Sequence, residues 1–188
     1  MPSSYTTTLG IELMVTGEKS GQWGDITNTN LNIVEQSQGY LSKSIAGGAQ
    51  TTDLTITDGA TTTSDARNLI IELTGTITGN QIVTVPDGIE KSYIFKNNTT
   101  GAFTVQVKTE TGTGFTFSTT DKGTRFAYAN GTDLIDVNAA FTTISQFTLP
   151  ASDGTNGQAI ITNGSGTLSF GDAGISTGKA IAMAIVFG

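Results

Sequence analysis

The chain contains no cysteine and no histidine. That removes a disulfide framework, a thiolate nucleophile, a structural zinc site of the Cys/His kind and a histidine general base in one step. Positive charge is also scarce. Nine Lys and Arg stand against sixteen Asp and Glu, giving a formal net charge of −7 and a pI of about 4.3. Nucleic-acid binders draw most of their affinity from neutralising phosphates, so neither nucleic acid nor an anionic membrane surface is an expected partner. Charged residues of both signs make up 13% of the chain, against roughly 25% in an ordinary soluble domain. No run approaches the roughly 20 apolar residues that a membrane-spanning helix needs, so no membrane insertion is expected. Met1-Pro2-Ser3-Ser4 leads into polar sequence without a basic start or apolar core, and no signal peptide is expected.

What fills the space is Thr, Ser, Asn, Gln and 24 Gly among 188 residues. This is the composition of an uncharged, hydroxyl-rich β protein, and the length allows one compact domain or two small ones. Three segments are expected. In residues 1–48, Leu9, Ile11, Leu13 and Val15 alternate, which predicts a short extended arm. Asp25 is a good N-cap, and Ile26, Leu31, Ile33 and Val34 are expected on one side of a helix ending near Gly39. Residues 49–140 carry runs such as NLIIELTG (68–75), QIVTV (81–85), SYIFK (92–96), AFTVQVKT (102–109) and TRFAYA (124–129). Turn residues separate them, among them Asn97-Asn98 and Asn130-Gly131. Short strands at this spacing predict a central antiparallel β-sandwich or barrel. Residues 141–188 end in Ala180–Phe187, where large and small side chains alternate. That pattern suits a buried strand, while its Ala and Met content also permits a helix. An exposed apolar terminus is an aggregation hazard, so burial between subunits is expected there. Ile181, Met183, Ile185 and Phe187 are the candidate oligomer-interface residues. The fold class is thus mainly β, with an N-terminal arm and one short helix, the central sandwich or barrel, and a C-terminal β segment for oligomerisation.

A search for chemistry returns no catalytic set. GISTGKA (174–180) has three residues between its glycines where a phosphate-binding loop needs four, and alanine follows the lysine. Asp153-Gly154-Thr155-Asn156-Gly157 lacks the spaced acids of a calcium loop. Glu12 with Glu18, or Asp133 with Asp136, are the carboxylate pairs available to a glycosidase, and solvated turns or edges account for them more simply. No Gly-x-Ser-x-Gly elbow activates any of the many hydroxyls. The glycosylation sequons at Asn97-Asn98-Thr99-Thr100, Asn130-Gly131-Thr132 and Asn163-Gly164-Ser165 read better as turns. No enzyme, cofactor or metal is therefore expected. Trp23, the only tryptophan, either anchors a partner interface or packs the helix onto its arm. Tyr93, Phe95, Phe103, Phe115, Phe126 and Tyr128 lie in strand patterns and are expected in the core, with a sugar-binding aromatic platform as the lesser reading.

The opening YTTTLGIELMVTGEKSGQWGDITNTNLNIVE resembles the N-terminal segment of tailed-phage tail-fibre and related appendage proteins, especially of marine phages. The matching residues are Tyr5-Thr6-Thr7, Thr16-Gly17-Glu18, Ser20-Gly21, Trp23-Gly24 and Asn28-Thr29-Asn30. Residues 66–109 are similar to a β module of the same proteins, and LPASDGTNGQAIITNGSGTLSF and STGKAIAMAIVFG resemble segments of that group. The resemblance implies a virion structural protein, trimeric and assembled in the host cytoplasm. Its N-terminus would dock on other tail or capsid proteins through Tyr5, Leu9, Ile11, Leu13, Trp23, Leu31 and Val34. The chain lacks the shaft repeats and large tip of a long fibre, so a short tail fibre or a fibre adaptor is expected. A capsid-attached appendage, or a module binding a host-surface receptor or glycan, is the alternative.

Overall fold

The computed structural model describes residues 3–137, 139, 143–144, 147–172, 181 and 185–186. The chain forms two compact units, Met1–Asn138 and Ala139–Gly188.

The first unit begins with β1 (Ser4–Tyr5) and β2 (Glu12–Leu13), paired antiparallel, followed by the helix α1 (Trp23–Gln36). The body then contains β3 (Tyr40–Ser44), β4 (Gln50–Asp53), a 3₁₀ turn (Asp65–Arg67), β5 (Ile70–Thr76), β6 (Gln81–Val85), β7 (Glu90–Thr100), β8 (Val105–Thr109), β9 (Gly114–Phe117), β10 (Thr124–Asn130) and β11 (Leu134–Asp136). Two sheets form, in the orders β11-β10-β7-β5-β3 and β4-β6-β8-β9. The protein is mainly β, in two facing layers, as composition and strand spacing predict.

The expected antiparallel pairing needs correction. β3, β4, β5, β6, β7 and β8 alternate between the two sheets, so the chain winds through three stacked coils. Like strands of successive coils therefore run parallel. Tyr40 lies opposite Ile70, and Ile70 opposite Ile94; Gln50 lies opposite Gln81, and Gln81 opposite Val105. Only β9, β10 and β11 add antiparallel ladders. Strand runs and turn residues show where a chain reverses, not whether it returns to the same sheet, so the sense of pairing was not legible.

The core lies between the sheets. Period-two alternation sends Ile71 and Leu73, Val83 and Val85, Val105 and Val107, and Phe115 and Phe117 inward, where all are buried. Tyr93, Phe95, Phe115 and Phe117 form a chain of ring contacts with centroids 5.4, 6.0 and 5.4 Å apart. Aromatic contacts at such separations stabilise beyond the area they bury. Phe103 is partly buried against this core. Phe126 and Tyr128, expected inside, lie on the outer face instead. On β10 the inward positions are Ala127 and Ala129, and the pleat turns their neighbours out.

The corners between the sheets depend on close stacking. A Cβ on Gly79 would overlap the backbone of Ala49, and one on Gly101 the carbonyl oxygen of Ile77. The buried Gln81 amide lies 3.3, 2.7 and 2.8 Å from the carbonyl oxygens of Gly47, Gly48 and Gly79. Asn97-Asn98, expected as a turn, lies within β7. There the Asn97 side chain is buried and bonds Asp121 and Thr99, so the reversal falls at Gly101. No break appears at Gly48 either. β3 precedes it and pairs along its length with β5. Tyr40–Ser44 has no β-branched residue, and only its partner makes it recognisable as a strand.

The second unit contains β12 (Thr143–Ile144) paired with β13 (Phe147–Thr148), and a hairpin of β14 (Gln158–Thr162) and β15 (Leu168–Asp172). Ile181, Ile185 and Val186 are helical. Of the two conformations left open for the terminus, helix is the one these three residues adopt, in keeping with the Ala and Met around them.

Candidate docking site

The N-terminal segment is held by its polar residues. The Asn30 amide makes two bonds to the backbone of Glu12. Its Oδ1 accepts from the Glu12 N–H at 3.0 Å, and its Nδ2 donates to the Glu12 carbonyl at 2.9 Å. One side chain thus imitates a strand partner and pins β2 to α1. The Glu18 carboxylate accepts from the Ser3 N–H at 3.1 Å and the Val15 N–H at 3.3 Å. Lys19 pairs with Glu12 at 3.1 Å. The neighbouring Ser3, foremost, and Lys19 hold the Glu12 carboxyl below its ordinary range. The Tyr5 ring lies against Gly59. The alternation at Leu9–Val15 is therefore not one extended arm. Leu9 sits in the turn, and only Glu12–Leu13 extends as a strand.

α1 starts three residues earlier than its sequence suggests. Gln22 occupies the N-cap position without a side-chain bond, and Asp25 falls in the first turn, where a negative charge favours the helix dipole. Ile33 is buried and Ile26 half-buried; seven residues apart, they share the packed face. Leu31 and Val34, expected beside them, are exposed. So is Trp23, which excludes the packing role considered for it. Trp23 is 66% and Leu31 62% exposed. With Val34 they span an arc of about 80° at 100° per residue. Among the described residues, no atom beyond the adjoining chain lies within 4 Å of a Cβ built on Gly21 or Gly24, so the space beside Trp23 is open. Leu13, Met14 and Val15 of the arm are exposed as well, while Leu9 and Ile11 are half-buried.

Of two cations that sequence reading passed over, Arg67 ties this segment to the body and Lys91 braces the turn that carries Arg67. Arg67 is fully buried. Its Nη1 donates to Gln36 Oε1 at 2.9 Å and to the Ala60 carbonyl at 2.6 Å, and its Nη2 donates to the Thr57 carbonyl at 3.0 Å. Lys91 donates to the carbonyls of Ala66, Arg67 and Asn68 at 3.4, 2.7 and 3.0 Å, capping the 3₁₀ turn with its ammonium 4.2 Å from the Tyr93 ring centre. Burial, then the nearby Arg67 charge, lower the Lys91 pKa to about 8. A lysine so placed resembles a catalytic amine, but all three of its donors are committed to backbone. The only sequence signal was scarcity, since each cation among the described residues of so acidic a chain has a particular partner.

The acidic candidates are also committed. Asp133 Oδ1 accepts from the Thr113 N–H and hydroxyl at 2.7 and 2.8 Å. Asp136 pairs with Arg125, which also binds Asp121 at 2.7 Å. Glu72 accepts from Tyr40, from Lys96 at 2.7 Å and from Asn98 at 3.1 Å. Among the described residues, no three His, Cys, Asp or Glu side chains converge as metal ligands would. Asn130 and Asn163 shape turns through their side-chain oxygens. GISTGKA lies outside the described residues, as do Met183 and Phe187. Ile181 and Ile185 are exposed. No family model, curated protein or solved structure matches the chain.

Proposed function

We propose that this chain is a non-enzymatic structural protein of a tailed-phage virion, a short tail fibre or fibre adaptor. It attaches through its N-terminal segment to other virion proteins and assembles with copies of itself. The observation that carries this reading is the exposure of Trp23 and Leu31 on a helix that Asn30 ties to β2 and Gln36 ties to Arg67. Fully burying one such side chain contributes roughly 1.5–3 kcal/mol, and tryptophan is the residue most enriched where interface energy concentrates. A pinned helix presents that surface at little entropic cost on binding. The resemblance of residues 5–35 to phage appendage proteins supplies the virion context. Tyr5, Glu18 and Asn30 of that motif build the scaffold here, and Trp23 is what the scaffold displays.

The test is a Trp23→Ser, Leu31→Ser double variant. Both side chains are exposed, so the purified protein should melt as the wild type does and yet be absent from particles assembled in its presence. Normal incorporation would sink the docking role.

One observation favours a second reading, recognition of a host-surface glycan. Tyr128 is exposed beside a cleft of about 420 Å³ that Glu90, Ser92 and Asn130 also line. A ring face next to a carboxylate, a hydroxyl and an amide is the chemistry that holds a sugar. A Tyr128→Ala variant should then lose any signal of the wild type on a glycan array; a wild type that binds no glycan refutes the reading.

A further inference from the structure

None of residues 139, 147–172, 181 and 185–186 of the second unit is buried. That is unusual for a segment with ten residues in a regular hairpin. Ile160 and Ile161 are adjacent in β14, so the pleat sends them to opposite faces, yet they are 59% and 45% exposed. Leu168 and Phe170 stand with Ile160 on one face, since Thr162 pairs with Leu168 and Ile160 with Phe170. On the other face Ile161 lies over Gly171. A lone two-stranded hairpin is at best marginally stable in water. A unit of about 50 residues ordinarily needs a disulfide, a metal or a partner; this chain has no cysteine for the first, and among the described residues no three His, Cys, Asp or Glu converge for the second.

We infer that the unit Ala139–Gly188 folds only by association with the same unit of further copies of this chain, and that it uses both faces of the β14–β15 hairpin to do so. Charge identifies the occupant. The unit holds only Asp153, Asp172 and Lys179, a net charge of −1, which leaves −6 on residues 1–138. Identical units meet here almost without repulsion, whereas contact between copies elsewhere brings like charges together. The two faces set the symmetry. A two-fold pair buries one self-complementary face and leaves the other in water. A closed ring of three or more copies buries one face against the preceding copy and the other against the next. The exposed Ile181, Ile185 and Val186 add apolar surface to the same association.

This rests on the self-association in the reading above, and the docking role fails separately, because the experiment needs no particle and leaves Trp23 untouched. The full chain is followed by sedimentation velocity and by amide hydrogen exchange over a dilution series. The expected species contains three or more copies. On dilution to monomer, the amides of Gln158–Thr162 and Leu168–Asp172 should lose protection together, while those of β5, β6 and β7 keep theirs. Ile160→Ser and Ile161→Ser, made singly, should each raise the concentration for half-assembly by about tenfold or more. Protection in β5–β7 shows that each variant still has a folded body. A monomer with a protected hairpin, a dimer, or an effect confined to one of the two variants would overturn the inference.

Discussion

Lys91 and Arg67 show how a chain poor in positive charge uses it. Each is drawn in to bond backbone carbonyls. Exchanging Arg67 for methionine keeps the volume and removes those bonds, and should cost about 2 kcal/mol in urea unfolding. Faster amide exchange in α1 should accompany it, because Gln36 loses its partner. Lys91 gives a pH signature. Its folded pKa is lowered to about 8 from the ordinary 10.5, so between those values the unfolded chain binds more protons and stability rises with pH. The cost of burying the charge is in full force below pH 8 and is relieved above it. From pH 8 to 9.5 the unfolding free energy should increase by about 1–2 kcal/mol. Above about pH 10 the trend should reverse, because burial holds the Tyr93 hydroxyl above its ordinary pKa and tyrosines ionise first in the unfolded chain. Lys91→Met should abolish the rise, and a wild type equally stable at pH 8 and 9.5 would contradict this assignment.

At the scale of elements, the coil corners are the most constrained places. Gly101 has φ +106 and meets the Ile77 carbonyl; Gly88 has φ +75 with open space around it. Both conformations disfavour a side chain, but only the first also excludes it sterically. Gly101→Ala should therefore cost about 3 kcal/mol or more and Gly88→Ala about 1 kcal/mol, measured by thermal melts; equal losses would mean that the stacking at Gly101 is not tight. The clash at Gly101 was not legible, because Ile77 sits more than twenty residues away in sequence. What was legible was local. The apolar alternation of β5, β6 and β8, the turn at Asn130-Gly131 and the presence of one N-terminal helix all follow from neighbouring residues. The face of that helix did not follow. Ile26, Leu31, Ile33 and Val34 are equally apolar, and which of them faces inward is decided by Arg67 and the loop it gathers. The exposure of Trp23 was hidden for the same reason, since its composition fits an anchor and a brace alike.

At the scale of the molecule, acidity sets the conditions of stability. Hydrogen bonds and ion pairs hold the carboxyls of Glu12, Glu72, Asp87, Asp121 and Asp133 below their ordinary values. For groups lowered in this way the stabilisation is complete above the unfolded values near 4 and is lost as pH falls below them. The urea midpoint should hold steady from pH 7 to 5 and drop between pH 4 and 2. Glu72→Gln should blunt the drop, and a midpoint unchanged at pH 2.5 would show that these contacts stabilise nothing. The sheet margins bear on assembly. β3 ends one sheet and turns Lys43 inward to pair with Asp65 at 2.5 Å, and β4 ends the other with only four residues. An inward charge and a short edge both discourage strand addition, which leaves side-chain surfaces for contact between copies. The winding of the chain has a different consequence, in time. Each coil stacks on the one made just before it, so a nascent chain leaving the ribosome can lay β5 on β3 and β7 on β5 in the order they emerge. Only β9 to β11 must fold back, and their synthesis closes the body before the C-terminal unit is complete. Every copy can then reach its assembly step as a finished body, with the unit Ala139–Gly188 still waiting for neighbours.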